Sequence, residues 1–269
     1  MRIGAHVSSG GGIANAVERA RAVGGDTLQV FTASPRQWRA RPVAAGEAIR
    51  LRRLQRQARL RPLVVHANYL INPAGEKPVL RERSRAALRG ELERALAIGA
   101  DYLVLHPGSG TVAACVNSIQ TAAAGLAWGK LQLLVENMAG GGQRLASSFA
   151  EWAAILDALA DLPVGGCLDT CHAWAAGYDL VSEGGYAAAM RELNATVGVG
   201  RTPVVHANDA KTARGSHHDR HAHIGEGQLG EGFFHRLLHD RRWRGKAFLV
   251  ETPPAGQGRD IAALRRLAQ

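Results

Sequence analysis

The chain has 269 residues, more than a typical domain but within the range of a one-domain α/β barrel. Lys and Arg outnumber Asp and Glu by 33 to 23, a balance of +10, and all but four of the basic residues are Arg, whose planar fork suits phosphate. Three cysteines exclude a disulfide framework, and no leader pattern or apolar run of ~20 residues is present, so the expectation is a cytoplasmic protein with no membrane partner.

Eight apolar, β-rich runs follow one another along the chain, at 2–7, 27–32, 62–67, 102–107, 131–137, 164–170, 202–209 and 247–252. Helical periodicity fills the intervals, at 13–23, 46–59, 80–98, 111–127, 147–160, 185–196 and 229–239, and a last helix at about 257–268 closes the chain. Uninterrupted apolar strands alternating with helices imply a parallel sheet covered on both faces. Eight such units predict one α/β domain over residues 1–269, a single (β/α)8 TIM barrel with its chemistry at the carboxyl ends of the strands.

Six of the runs end in a side chain that can hold a metal. PLVVHA ends at His66, YLVLHP at His106, LQLLVEN at Glu136, GGCLDT at Asp169, PVVHAND at His206 and AFLVET at Glu251. His172 follows Asp169 closely, and Asp219 and His221 follow His206. A lone strand-end His is more often a satisfied polar residue than a ligand. Nine such groups on one rim would bury costly charge unless cations offset it. Mixed imidazole and carboxylate donors suit Zn, with Mn or Fe as alternatives. A catalytic zinc uses about three protein ligands, so nine are too many for one ion and enough for three if a carboxylate bridges. Clustered metals of this kind point to phosphoester hydrolysis. Cys167 and Cys171 are read as small buried residues. His6 is read as a rim residue or as a partner standing behind the ligands, and is not assigned as a ligand.

These motifs resemble the endonuclease IV family of DNA-repair enzymes. The stretches that carry the likeness are GAHVSSGGGIANAV (4–17), FTASPRQWRARP (31–42), HANYLIN (66–72), LHPGS (105–109), VENMAGGG (135–142), CLDTCHAWAAGYDL (167–180), HANDAK (206–211), DRHAHIGEG (219–227) and ETP (251–253). The resemblance implies a barrel with three zinc ions per chain that cleaves duplex DNA 5′ to abasic sites. It implies no organic cofactor, and a monomer is expected for a barrel that must grip bent DNA.

Carried over position by position, His66, His106 and Glu136 would hold the first zinc, and Glu136 would bridge to a second completed by Asp169, His206 and Glu251. His172, Asp219 and His221 would hold the third. The catalytic residues implied are Glu136 and Glu251, which would orient the attacking water, and the products would be a 3′-hydroxyl and a 5′-deoxyribose phosphate. Arg36, Tyr69 and Leu70 would contact DNA by wedging into the gap at the lesion, while Trp38 is left open between packing and DNA contact. The chain departs from the family pattern in a shorter loop after His106 and at Pro35 and Asn68, all in DNA-facing loops. The competing readings are a metal-dependent sugar isomerase or epimerase of the xylose-isomerase-like barrels and a DNA-binding module with a dead site. The first has no use for His172, Asp219 and His221; the second has no reason to keep a full ligand set.

Overall fold

The computed structural model describes residues 1–269 and consists of eight parallel strands closed into a barrel. The strands are β1 (Arg2–His6), β2 (Thr27–Val30), β3 (Leu63–His66), β4 (Tyr102–Leu105), β5 (Gln132–Glu136), β6 (Val164–Asp169) and β7 (Val204–His206), with β10 (Ala247–Val250) lying between β7 and β1 to close the ring. The remaining two, β8 (Asp209–Ala210) and β9 (His221–Ala222), form a short antiparallel hairpin above it. The helices are α1 (Ala16–Ala22), α2 (Ala45–Gln57), α3 (Pro78–Ile98), α4 (Val112–Ala123), α5 (Phe149–Ala158), α6 (Thr170–Ala176), α7 (Glu183–Thr196), α8 (Gly230–His239) and α9 (Gln257–Leu267). The eight-unit barrel expected from the alternating runs is the fold observed.

Two elements depart from the expected pattern. The run read as a strand over 202–209 leaves the barrel after His206, and its last residues start the hairpin. Helix α6 has no counterpart among the expected helices. It is only seven residues long, and its first six residues are buried, so it has no polar face to give it a period. Asp169 starts it by accepting the amide N–H of His172 at 2.7 Å, a side-chain N-cap.

Side chains alternate along each strand. One set, including Leu28, Leu63, Val65, Leu103, Leu133, Val205 and Phe248, faces the helices. The other set points to the axis, where Val64, Val104, Leu134, Cys167, Val204 and Leu249 pack into an apolar plug. Two residues further along, on the same inward face, stand His66, His106, Glu136, Asp169, His206 and Glu251. The plug therefore floors the polar rim and keeps water from reaching it from below.

Candidate metal centre

Period-two alternation delivers six of the expected residues into one layer, and the other two strands add their own. His6 of β1 is in register with Gln29 of β2. Every barrel strand thus contributes one polar residue to the ring above the plug. The loops add the rest: His172 comes from the first turn of α6, and Asp219 and His221 come from the hairpin.

Glu136 is the hub, and it is fully buried. Its Oε2 lies 3.4 Å from His66 Nε2 and 3.1 Å from His106 Nε2, and its Oε1 lies 2.9 Å from His206 Nδ1. His206 Nδ1 is also 3.3 Å from Glu251 Oε2. Donor atoms of Glu136, Asp169, His206 and Glu251 converge in a second set, and those of Asp169, His172 and His221 in a third. Asp219 closes this last group, with Oδ2 3.2 Å from His172 Nε2 and Oδ1 2.9 Å from His221 Nε2. All nine residues picked from the sequence are brought together.

The imidazole tautomers decide whether these contacts suit a cation. His66 Nδ1 is 2.8 Å from the carbonyl of Ala67, and His172 Nδ1 is 2.9 Å from that of Asn137. A carbonyl only accepts, so each Nδ1 carries hydrogen and donates. In a neutral ring the Nε2 lone pair then points at a carboxylate oxygen, which is repulsive unless a cation or an extra proton lies between them. The donor set fits a metal in a second way. Glu136 Oε2, His172 Nε2 and His221 Nε2 are buried, and the close approaches around them are not aligned as hydrogen bonds; buried polar atoms rarely stay so.

The protonation equilibria show the same demand for positive charge. Burial opposes ionisation of Glu136, yet His206 and His106 hold it well below the usual carboxylate range. Burial likewise opposes charge on His221, but Asp219 and Asp169 outweigh it and lift the ring to about 9. His172 is raised well above its ordinary value in the same way, by Asp169, Asp219 and Glu136 against burial. Burial pushes Asp169 upward. Metals would displace the extra protons, since only the deprotonated forms ligate. Burial pushes the Cys167 and Cys171 thiols up to about 12, so both are neutral.

Three residues outside the expected set orient it. The Gln29 amide oxygen faces His206 Nε2 at 2.9 Å, which directs His206 Nδ1 toward Glu136 and Glu251. The Gln29 amide nitrogen donates to Glu251 Oε1 at 2.7 Å and reaches His6 Nδ1 at 3.0 Å. Asn208 donates from Nδ2 to Asp169 at 2.7 Å and accepts the Glu251 N–H at 2.9 Å. Asp209, also fully buried, accepts N–H groups from Ala210, Gly225, Gly227, Leu229 and Gly230 and so pins the loop that follows the hairpin. A Gln on an inward position of an apolar run was the available signal for Gln29.

The DNA-facing candidates lie beside the rim. Tyr69 is exposed, and its ring meets Phe31 edge-on at 5.2 Å and lies 5.6 Å from His66. Arg36 is exposed and Leu70 half-buried. Asn68, one of the departures from the family pattern, joins their two loops, its side-chain amide donating to Gln37 O at 2.5 Å and Ser34 O at 3.3 Å, while its oxygen accepts the Leu70 N–H. The short loop after His106 is packed against the same region. Gly108 and Gly110 have φ of 85° and 144°, and a Cβ on either would collide with Asn72 or with the Ala74 carbonyl.

A cavity of about 480 Å³ opens over the third group, lined by Tyr69, His106, His172, Asp219, His221 and Arg144. The family described as xylose isomerase-like TIM barrel matches residues 17–267. A probable endonuclease 4 of Solibacter usitatus is 44% identical, covering 100% of this chain and 97% of its own length. The solved endonuclease IV from Thermus thermophilus superposes with a TM-score of 0.92 at 39% identity, covering 99% of this chain and 98% of the other. A D-tagatose 3-epimerase-like protein superposes at 0.73 with 18% identity, covering 99% of this chain and 97% of the other, a likeness of fold alone.

Proposed function

The chain belongs to the endonuclease IV family, DNA-repair endonucleases built on the xylose isomerase-like TIM barrel, and from that premise we propose that it hydrolyses the phosphodiester 5′ to abasic sites in duplex DNA as a single-domain monomer in the cytoplasm. No helix is long and apolar enough to cross a membrane. The observation that carries the reading is the convergence of nine metal-type side chains, Glu136 among them, in adjoining groups on one rim, with Glu136 Oε2, His172 Nε2 and His221 Nε2 buried and in no aligned hydrogen bond.

His66, His106 and Glu136 would hold one zinc, Glu136, Asp169, His206 and Glu251 a second, and His172, Asp219 and His221 a third. When bound, such ions lower the pKa of a water toward neutrality and take up charge from the departing oxygen. The protein's part is orientation. Glu136 and Glu251 would accept hydrogen bonds from the attacking water and aim it at phosphorus, with Gln29 and Asn208 fixing the Glu251 carboxylate. His172, Asp219 and His221 would hold the ion that takes charge from the leaving 3′ oxygen. The products are a 3′-hydroxyl and a 5′-deoxyribose phosphate, and no covalent enzyme intermediate is required.

An abasic nucleotide leaves the helix at low cost because it has no base to unstack. Arg36, Tyr69 and Leu70 would fill the gap it leaves. Sugar isomerisation is disfavoured, because it gives no task to His172, Asp219 and His221. The test is incubation of the purified protein with a duplex carrying one tetrahydrofuran abasic analogue, with and without strong chelator. Incision on the 5′ side that chelation abolishes is expected; no incision at any protein concentration would sink the reading.

A further inference from the structure

A cavity of about 680 Å³ lies outside the metal centre. It runs between the loop after β2 and the outer face of α3. Trp38 and Arg39 form one wall, and Arg83 and Arg94 the other. Trp38 also lines a second cavity of about 310 Å³, which reaches Leu70, Lys77, Ser109 and Gln143. The two cavities adjoin at Trp38, and the smaller one, where Glu76 stands beside Lys77, reaches Leu70 in a loop expected to wedge the lesion.

The larger cavity is lined by Arg39, Arg83 and Arg94 and by no acidic side chain. Arg94 is buried and paired with Glu91 at 3.0 Å, and its Nε donates to Thr32. Its neighbours on α3 are also matched, Arg85 with Glu82 and Arg89 with Glu93. Arg39 and Arg83 are both exposed and make no ion pair or side-chain hydrogen bond. Two unmatched guanidinium groups facing one cavity repel each other, and an anion between them removes that repulsion. Beside Arg39 on the same wall is the half-buried indole of Trp38, a flat surface that can carry a sugar or a splayed base. Leu80, 43% exposed, lines the smaller cavity, so apolar contact stands beside cationic contact.

We propose that the Trp38 groove is a second DNA-binding site, in which Arg39 and Arg83 hold backbone phosphates of one strand flanking the lesion and Trp38 supports its sugar or base. The proposal rests on the endonuclease reading and extends it from the lesion to one arm of the duplex. A cavity of about 680 Å³ with guanidinium groups on both walls and an indole on one matches a sugar-phosphate chain better than a compact anion, because it offers a nucleotide both charge and a flat apolar surface. Its continuity with Leu70 through Trp38 gives the strand a path from the metal mouth. The groove lies on the side of β2 and α3 only, so it contacts one arm.

The test compares wild type with Arg39→Gln/Arg83→Gln on three metal-loaded reactions. One duplex has long arms on both sides of a tetrahydrofuran site; the other two are cut back to a few base pairs on one side or the other. The enzyme concentration giving half-maximal single-turnover incision is measured across a salt series. On the long duplex the double variant should need roughly 10-fold more enzyme, and its log–log salt dependence should be shallower by about 2, near 0.9 for each phosphate lost. On one of the two shortened duplexes, and only one, the difference should vanish. A double variant that matches wild type on the long duplex, or that is impaired equally on all three, overturns the groove. Wild-type incision with indifferent variants removes the groove alone, whereas no wild-type incision removes the endonuclease reading and the groove with it.

Discussion

Glu251 is held from several directions: Gln29 and Asn208 donate to its carboxylate, and Asn208 also accepts its backbone N–H. Such a carboxylate is already aimed, so its chemistry can be removed without moving it. Glu251→Gln should keep binding to abasic duplex and lose incision by ~100-fold or more; unchanged incision would take Glu251 out of the reaction. Gln29→Leu keeps the volume and deletes the amide that orients both His206 and Glu251. Loss of such an outer partner typically weakens metal affinity by about 10- to 100-fold, readable by competition with a chromogenic chelator. Wild-type affinity in this variant would mean that the amide only fills space.

The imidazoles give a pH test of the same site. In chelated protein, burial opposes the His221 proton but Asp219 and Asp169 retain it up to about 9, against an ordinary 6.5. A folded-state pKa raised in this way stabilises fully below about pH 6.5 and is lost as pH rises through about 9. The thermal midpoint of chelated protein should therefore fall across that window. Metal-loaded protein lacks this contribution, because its ligating rings carry no extra proton. A chelated midpoint that rises from pH 6.5 to 9 contradicts the assignment.

At the scale of elements, the hairpin of β8 and β9 decides whether the third ligand set exists. Asp209 sits at its first residue and collects five backbone N–H groups, four of them from the loop after β9. Asp209→Ala strands those donors, each costing on the order of 1–3 kcal/mol if buried. A loss of at least about 3 kcal/mol in stability is expected, with weaker metal retention by His221 and Asp219. A variant as stable as wild type would show that water replaces the carboxylate. The barrel strands were legible in the sequence because most are short apolar runs bounded by polar residues, and six of the runs carry His, Asp or Glu two residues past the plug. His6 and Gln29 occupy the same layer, but an amide inside a run does not announce metal chemistry, and His6 is not itself among the converging donors. Helix α6 and the hairpin escaped for a different reason. Helix α6 is short and buried and each hairpin strand has only two residues, so neither shows an amphipathic period, and their positions are set by Asp169 and Asp209 rather than by local propensity.

At the scale of the whole molecule, the fold separates two tasks. The apolar plug and the ring of helices supply stability, while the rim above collects four carboxylates and five imidazoles that the protein alone does not fully satisfy. The chain as a whole is basic and rich in Arg, consistent with a polyanion lying across that rim. Cations in the rim would join strands β3 to β7, β10, α6 and the hairpin, so their removal should loosen the carboxyl end of the barrel as one unit. The most direct measurement of this account is the metal content of the purified, dialysed chain by elemental analysis. Three ions per chain are predicted, with zinc dominant; two or fewer in protein that incises abasic DNA would contradict a trinuclear centre built from these nine residues.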